Sequence, residues 1–279
     1  MQTTVLLALL LVALTAVQGS PLKSRLRPNT PENIARLRNP QPGDLAEELS
    51  GQFEGDIVLT EEQEDAIVRG KRNGLISAAK RWPNNVVPYE IVEEHFTPEQ
   101  VAYIELGLRT LEQRSCLRFR RRQPDDGESY VRVIGNEDSG CWSWVGYMSN
   151  EFQELHLNPS APESGCFRLA TIMHEFLHAL GFYHQQSASD RDGFVDILFE
   201  NVQDGMQNNF YIYTADVVTD FGVRYDYGSV MHYGPYSFSK NGLPTIVPKD
   251  PKAEIGQRVA LSEKDFSKLN HMYGCLKKG

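Results

Sequence analysis

The stretch HEFLHALGFYH, residues 174–184, constrains this chain more tightly than any other segment, and it uses three of the chain's seven histidines. His174 and His178 are four residues apart, which on an α-helix places them one turn apart on the same face. The residues leading into them, FRLATIM, are apolar. The spacing therefore predicts a mostly buried helix over residues 167–181 with one polar stripe. Gly181 stands where that helix has to stop, and glycine takes the left-handed C-terminal conformation at little cost. The chain can then turn sharply and bring His184 back beneath the first two imidazoles. Any fold for this sequence has to bury this helix and bring three histidines to one point.

Three neutral imidazoles suit a tetrahedral zinc ion whose fourth position stays open for water. Glu175 lies about 100° round the helix from His174, close enough to reach that water without taking a coordination place. The H-E-x-x-H pattern thus reads as two zinc ligands and a general base. With a glycine and a third histidine in the spacing found here, and a methionine turn downstream, it becomes the metzincin signature. The segment YGSVMHYGPYSF supplies that turn, with Met231 beside Gly228. The expected chemistry is metal-assisted amide hydrolysis with one Zn2+ per chain. Zinc would lower the pKa of its water towards roughly 7 and polarise the peptide carbonyl. Glu175 would take the water's proton and pass it to the leaving amine. His95, His156, His232 and His271 lie outside the ligand spacing and are expected to be packed or polar side chains.

The rest of the chain says where such chemistry would operate. Val5 to Val17 form an apolar run too short to span a bilayer easily and suited to a signal peptide, with small residues following at Gly19 and Ser20. Residues 1–19 are read as that signal, which implies a secreted, extracellular product. Residues 20–72 read as a pro-segment with little capacity for a core. They end in Arg69-Gly70-Lys71-Arg72, a site for a processing protease that cuts after basic residues. The peptidase domain is then expected over 73–279. The formal net charge of −9 lacks the basic excess that nucleic acid requires, so no nucleic-acid partner is expected. No later stretch is apolar for long enough to cross a membrane, and a monomer is expected. Four cysteines in a secreted chain suggest two disulfides, and spacing leaves all three connectivities open.

Strand signals fall at VVPYEIV, CLRFRRR, YVRVIGN and QELHLN. A helix is predicted from TPEQVAYIELGLRTLEQRS, with Thr97 as N-cap, Pro98 at the first position and Gln100 closing a capping box. A terminal helix is predicted from LSEKDFSKLNHMYGC, capped by Ser262 with Asp265 three residues on. The basic run Arg120 to Arg122 is expected on the exposed side of a strand.

From about Leu75 to Cys275 the sequence resembles one metzincin family, the astacins. The resemblance is carried by RWPNNVVPYEI, RSCLRF, GCWSWVG, TIMHEFLHALGFYHQQSASDRD, SVMHYGPYSFS and IGQRVALSEKDFSKLNHMYGC. It implies an α+β fold: an N-terminal lobe with a twisted sheet and helices, an irregular C-terminal lobe ending in a helix, and zinc in the cleft between. It implies that Tyr233 is an extra zinc ligand able to swing off the metal and hydrogen-bond the oxyanion, with Met231 packed beneath the site. The FEGD of residues 53–56 looks like the family's latency motif, in which Asp56 would ligate zinc in the zymogen and displace the water. The family's disulfides would map to Cys116–Cys275 and Cys141–Cys166, worth about 5 and about 3.5 kcal/mol in the chain-entropy account. Arg258 is a candidate for the primed side of the cleft, where it would favour substrates with an acidic residue after the scissile bond.

One departure stands out. Astacins usually follow the third histidine with a glutamate that pairs with the mature N-terminus, and here Gln185 follows His184. An amide can hydrogen-bond an ammonium but forms no ion pair. The resulting expectation is a secreted zinc endopeptidase made as a zymogen, acting on protein or peptide substrates. The rival is a catalytically silent binding protein on the same scaffold, which would have no need of Glu175 and Tyr233 together with all three histidines.

Overall fold

The computed structural model describes residues 46–68, 80–123, 127–136, 140–213 and 219–275. The expected signal peptide, the processing site at Arg69–Arg72 and the start at Asn73 lie outside the described residues. Within them, eight strands and four α-helices are linked by short 3-10 turns.

The first strands are β1 (Ile57–Val58), β2 (Val86–Ile91), β3 (Arg118–Arg121), β4 (Tyr130–Ile134), β5 (Cys141–Trp144) and β6 (Phe152–Leu157). They form one mixed sheet in the order β1-β5-β6-β4-β2-β3. The pattern of β4 shows why: Val131 and Val133 are fully buried while Arg132 between them is half-buried, the alternation of a strand with one face on a core. β2 and β3 are adjacent and parallel, so the chain needs a crossover between them. Helix α2 (Pro98–Gln113) supplies it. Its predicted capping box forms: Thr97 Oγ1 accepts from Gln100 N–H, and the Gln100 side chain accepts from Thr97 N–H. Ile104, Leu108 and Leu111 line its buried face. Burial of each such side chain is worth about 1.5–3 kcal/mol.

Helix α3 (Leu169–Ala179) packs against both α2 and the sheet and is buried along almost its whole length. It starts two residues later than the pattern suggests, because Gly165–Phe167 form a separate 3-10 turn. The two helices pack closely at Gly107 of α2, where a Cβ would stand 3.0 Å from Ile172 Cγ2 of α3. Strand β5 is not among the predicted strands. Its Trp142 and Trp144 are half-buried and alternate with the buried Cys141 and Ser143. Beyond it, residues of the N-terminal segment add β1 parallel to β5, pairing Ile57 with Ser143 and Val58 with Trp144. Helix α1 (Glu61–Val68) follows.

A second, smaller core gathers Val195, Val202, Phe210, Tyr225, Tyr233, Phe238, Ile246 and Ile255. Its only paired strands among the described residues are β7 (Val195–Ile197) and β8 (Ile246–Pro248), which are antiparallel. The terminal helix α4 (Glu263–Met272) returns to the first core, where Phe266, Leu269 and Met272 are buried. The fold is therefore α+β with a sheet-and-helix lobe and an irregular lobe, as expected. The disulfides are Cys116–Cys275 and Cys141–Cys166, the pairing that the resemblance implies. No helix among the described residues is long and apolar enough to cross a membrane.

Candidate metal centre

Helix α3 ends as its glycine requires. Gly181 has φ +107°, and Gly181 N–H and Phe182 N–H donate to the carbonyls of His178 and Leu177 at 2.8 and 2.9 Å. This is a Schellman motif. It reverses the chain so that His184 meets the two helical histidines, with ring centroids 4.9 Å from His178 and 5.3 Å from His174.

Each imidazole is held by its Nδ1. That of His174 donates to Val230 O at 2.9 Å, that of His178 to Phe182 O at 2.7 Å, and that of His184 to Glu54 Oε2 at 2.7 Å. Carbonyls and carboxylates only accept, so all three Nδ1 atoms carry hydrogen and the Nε2 lone pairs are turned inward. There the Nε2 atoms of His174 and His178 face each other at 3.1 Å. The Asp56 carboxylate faces all three, at 3.0 Å from His174, 3.5 Å from His178 and 3.3 Å from His184. The four ligand atoms lie within 4.8 Å of one another and all four residues are buried. Lone pairs and a carboxylate packed this closely repel unless a cation lies among them. Zinc bound at about 2.0–2.1 Å from each nitrogen sets tetrahedral ligand atoms about 3.3 Å apart, which matches the distances found. His184 Nε2 and Asp56 Oδ1 are buried with no hydrogen-bond partner, as donor atoms reserved for a metal would be. The residues fit zinc.

Electrostatics bear out the need for positive charge. Burial acts to lower the His184 pKa, but the Asp56 and Glu54 carboxylates overcome it and push it up to about 9. Burial takes His174 down to about 4, with Asp56 opposing. Burial also acts against the charged form of Asp56, yet His184 and His178 hold it well below the ordinary carboxylate range.

Glu175 is fully buried beside this cluster, and neither carboxylate oxygen has a hydrogen-bond partner. Burial, with the nearby charges of Asp56 and Glu47, pushes its pKa well up. Tyr233 lies with its ring 4.7 Å from that of His184. Its hydroxyl donates to Glu54 O. Met231 is buried in the turn below, its carbonyl accepting from Gln185 N–H at 2.9 Å. That turn is tied to α4 through Asp265, which accepts from Ser229 Oγ and Val230 N–H while also closing a capping box with the predicted N-cap Ser262.

The N-terminal segment occupies the site. Strand β1 fixes Asp56, whose carbonyl accepts from Ser143 N–H at 2.8 Å. Arg258, singled out for the cleft, donates from Nε to Glu47 Oε1 at 2.8 Å, and Thr171 Oγ1 of α3 reaches the same oxygen at 2.8 Å. Gln185 accepts through its side chain from Lys268 Nζ of α4. The other histidines take no part. His232, for example, lies between Tyr225 OH and its neighbour's carbonyl at 2.7 and 2.8 Å. Sequence reasoning missed Glu47 and Glu54. Both lie in a segment read as having little core, yet both are buried. The available signal was that FEGD carries two carboxylates, only one of which was given a role.

A sequence profile of the astacin peptidase family matches residues 74–274. Blastula protease 10 of Paracentrotus lividus is 39% identical over 241 residues, covering 80% of this chain and 38% of that protein. Zinc metalloproteinase nas-4 of Caenorhabditis elegans is 36% identical over 225 residues, covering 80% of this chain and 69% of that protein. The chain thus spans about two fifths of the length of the sea-urchin relative. Among solved structures, high choriolytic enzyme 1 of Oryzias latipes, a hatching enzyme zinc-protease, superposes with a TM-score of 0.62 at 35% identity. The match covers 70% of this chain and 94% of that one.

Proposed function

The chain belongs to the astacin family of zinc metallopeptidases, and from that membership we propose that it is a secreted zinc endopeptidase made as a zymogen. In this reading residues 1–19 are a signal peptide, 20–72 a pro-segment removed by a processing protease at Arg72, and 73–279 the peptidase domain, acting as a monomer on protein or peptide substrates. The observation that carries it is the convergence of three Nδ1-anchored imidazoles on the carboxylate of Asp56.

His174, His178 and His184 would hold zinc, which when bound supplies a Lewis acid that acidifies water and polarises a carbonyl. Asp56 fills the position that water would need, which accounts for latency. Removing residues up to Arg72 takes away Asp56 and Glu47, the two carboxylates that add to burial in raising the Glu175 pKa. Glu175 is then free to accept the proton of the attacking water and deliver it to the leaving amine. Release of Glu54 also frees the Tyr233 hydroxyl, which can then donate to the developing oxyanion. Arg258 loses Glu47 and becomes a cation without its carboxylate partner, able to receive an acidic side chain of the substrate.

Casein hydrolysis by the processed chain tests this reading. Activity should vanish with a chelator and return with zinc. Glu175→Gln should lower kcat by about 10²–10⁴ with zinc still bound. Hydrolysis that ignores the chelator, or full turnover without Glu175, rejects it.

A further inference from the structure

Two of the three imidazoles are anchored by backbone carbonyls of the peptidase domain, Val230 and Phe182. The third is not. His184 Nδ1 donates to Glu54, which lies in the segment that the proposed activation removes. Glu54 is fully buried, and it is not a passive neighbour of Asp56. Its Oε1 accepts from Ser187 Oγ at 2.8 Å and from Tyr213 OH at 2.5 Å, and its own N–H donates to Asn209 Oδ1 at 3.2 Å. Three donors of the domain, Ser187 Oγ, Tyr213 OH and His184 Nδ1, thus converge on one carboxylate. The backbone of Glu54 is left-handed, φ 49°, a conformation that a residue with a side chain rarely adopts. The chain accepts it where both carboxylates of FEGD enter the same site.

We propose that the peptidase domain contains a carboxylate-binding nook, formed by Ser187, Tyr213 and His184 Nδ1, in which Glu54 serves as a removable outer-shell partner of the third zinc ligand. This rests on the reading of residues 20–72 as a pro-segment. A carboxylate hydrogen-bonded to a ligating imidazole fixes its tautomer and orientation and makes it a stronger base. Loss of such a partner lowers metal affinity by about 10–100-fold. The latch therefore has two points of attachment with different effects. Asp56 blocks the open coordination position, whereas Glu54 strengthens the hold of His184 on the ion. Activation removes both, so the processed enzyme holds zinc more weakly than the zymogen. His184 then becomes the one ligand among the three whose Nδ1 has lost its partner.

The test is zinc affinity by chelator competition on the full-length zymogen, carrying Glu175→Gln so that it stays intact. Glu54→Gln should weaken zinc binding by about 10–100-fold. Ser187→Ala, which leaves the pro-segment and the ligands untouched, should weaken it by less. The processed domain, which lacks Asp56 as well, should bind zinc no more tightly than the Glu54→Gln zymogen. Unchanged affinity in Glu54→Gln overturns the proposal. So does a loss of thermal stability of equal size in the zinc-loaded and zinc-free forms, because that marks a merely structural contact. A parent zymogen with no stoichiometric zinc would instead defeat the metallopeptidase reading itself, a result separable from failure of the Glu54 variant alone.

Discussion

His178 and His184 face each other across one site, their ring centroids 4.9 Å apart, yet they depend on different kinds of support. His178 belongs to a buried helix, and its Nδ1 is held by a carbonyl four residues further on. Its surroundings are sheet, helix and a glycine turn, all within the larger core. His184 belongs to the irregular lobe. There the groups that matter take partners from the N-terminal segment: His184 and Tyr233 from Glu54, and Arg258 from Glu47. The N-terminal segment adds a strand to the sheet lobe and meets Thr171 of α3 there, but it is in the irregular lobe that it partners the polar groups facing the histidine cluster. Buried polar groups without partners are costly. The irregular lobe is accordingly where a substrate has most to offer.

The largest effect expected from this contrast is at Arg258. In the zymogen Arg258→Ala leaves the buried Glu47 without its cation; a fully buried pair would lose about 3–5 kcal/mol, and this partly buried one about 2–3 kcal/mol. The processed domain has no Glu47 and should lose much less, so thermal unfolding of the two forms should diverge. With peptide libraries, the processed variant should lose any preference for acidic residues near the scissile bond. Equal destabilisation of both forms would show that Arg258 is structural and that the lobe does not depend on borrowed partners. An unchanged peptide preference would remove Arg258 from the substrate site.

Legibility in the sequence follows the same division. The capping boxes of α2 and α4, the burial of α3 and the stop at Gly181 were readable because each depends on neighbours within a few positions. So was the meeting of the three histidines, since the helix period and one turn fix it. Strand β5 escaped because its Trp142 and Trp144 stand half-buried against Cys141 and Ser143, which gives no clean alternation of apolar with polar. The contacts of Glu47 and Glu54 escaped for a stronger reason. They join residues 211 and 130 positions apart, and no local pattern encodes such a meeting. In isolation a buried glutamate reads as a solvated one, and only the position of its donors in three dimensions reveals otherwise.

A smaller effect, of about 2 kcal/mol, is expected for Gly181→Ala, because the side chain is strained at φ +107°. Its Cβ would also come within 2.6 Å of Met272 Cε, though that flexible end can give way. None of the atoms it meets belongs to residues 46–68, so zymogen and processed domain should lose the same stability. A loss confined to the zymogen would mean that the contacts of the N-terminal segment with the sheet lobe reach as far as the Gly181 turn.

In the metal-free zymogen the two lobes should also differ in their response to pH. His184 has its folded-state pKa raised to about 9. Its proton is bound more tightly in the folded protein, so its stabilisation is complete below about 6.5, the unfolded value, and is lost as pH rises through about 9. His174, lowered to about 4, works in reverse: its contribution is present above about 6.5 and is lost as pH falls towards 4. Unfolding of the chelated zymogen followed across this range should show both limbs. Zinc should flatten the alkaline one, since the metal then takes the place of the proton on His184 Nε2.

The smallest expected effect is at Gln185, which interrupts the contrast. It lies next to His184, but its side chain takes a partner from α4, the mostly buried Lys268, and none from the N-terminal segment. Burial lowers the pKa of Lys268, with Asp265 and other acids of the irregular lobe opposing. Gln185→Glu would put a carboxylate opposite that ammonium and convert a neutral hydrogen bond into a charged one, worth about 1 kcal/mol after the cost of burying a second charge. Both forms should gain alike, because Lys268 stays with the domain after processing. A gain only in the processed form would mean that the new chain terminus competes with Lys268 for position 185, and the irregular lobe would then hold a group that changes partner on activation.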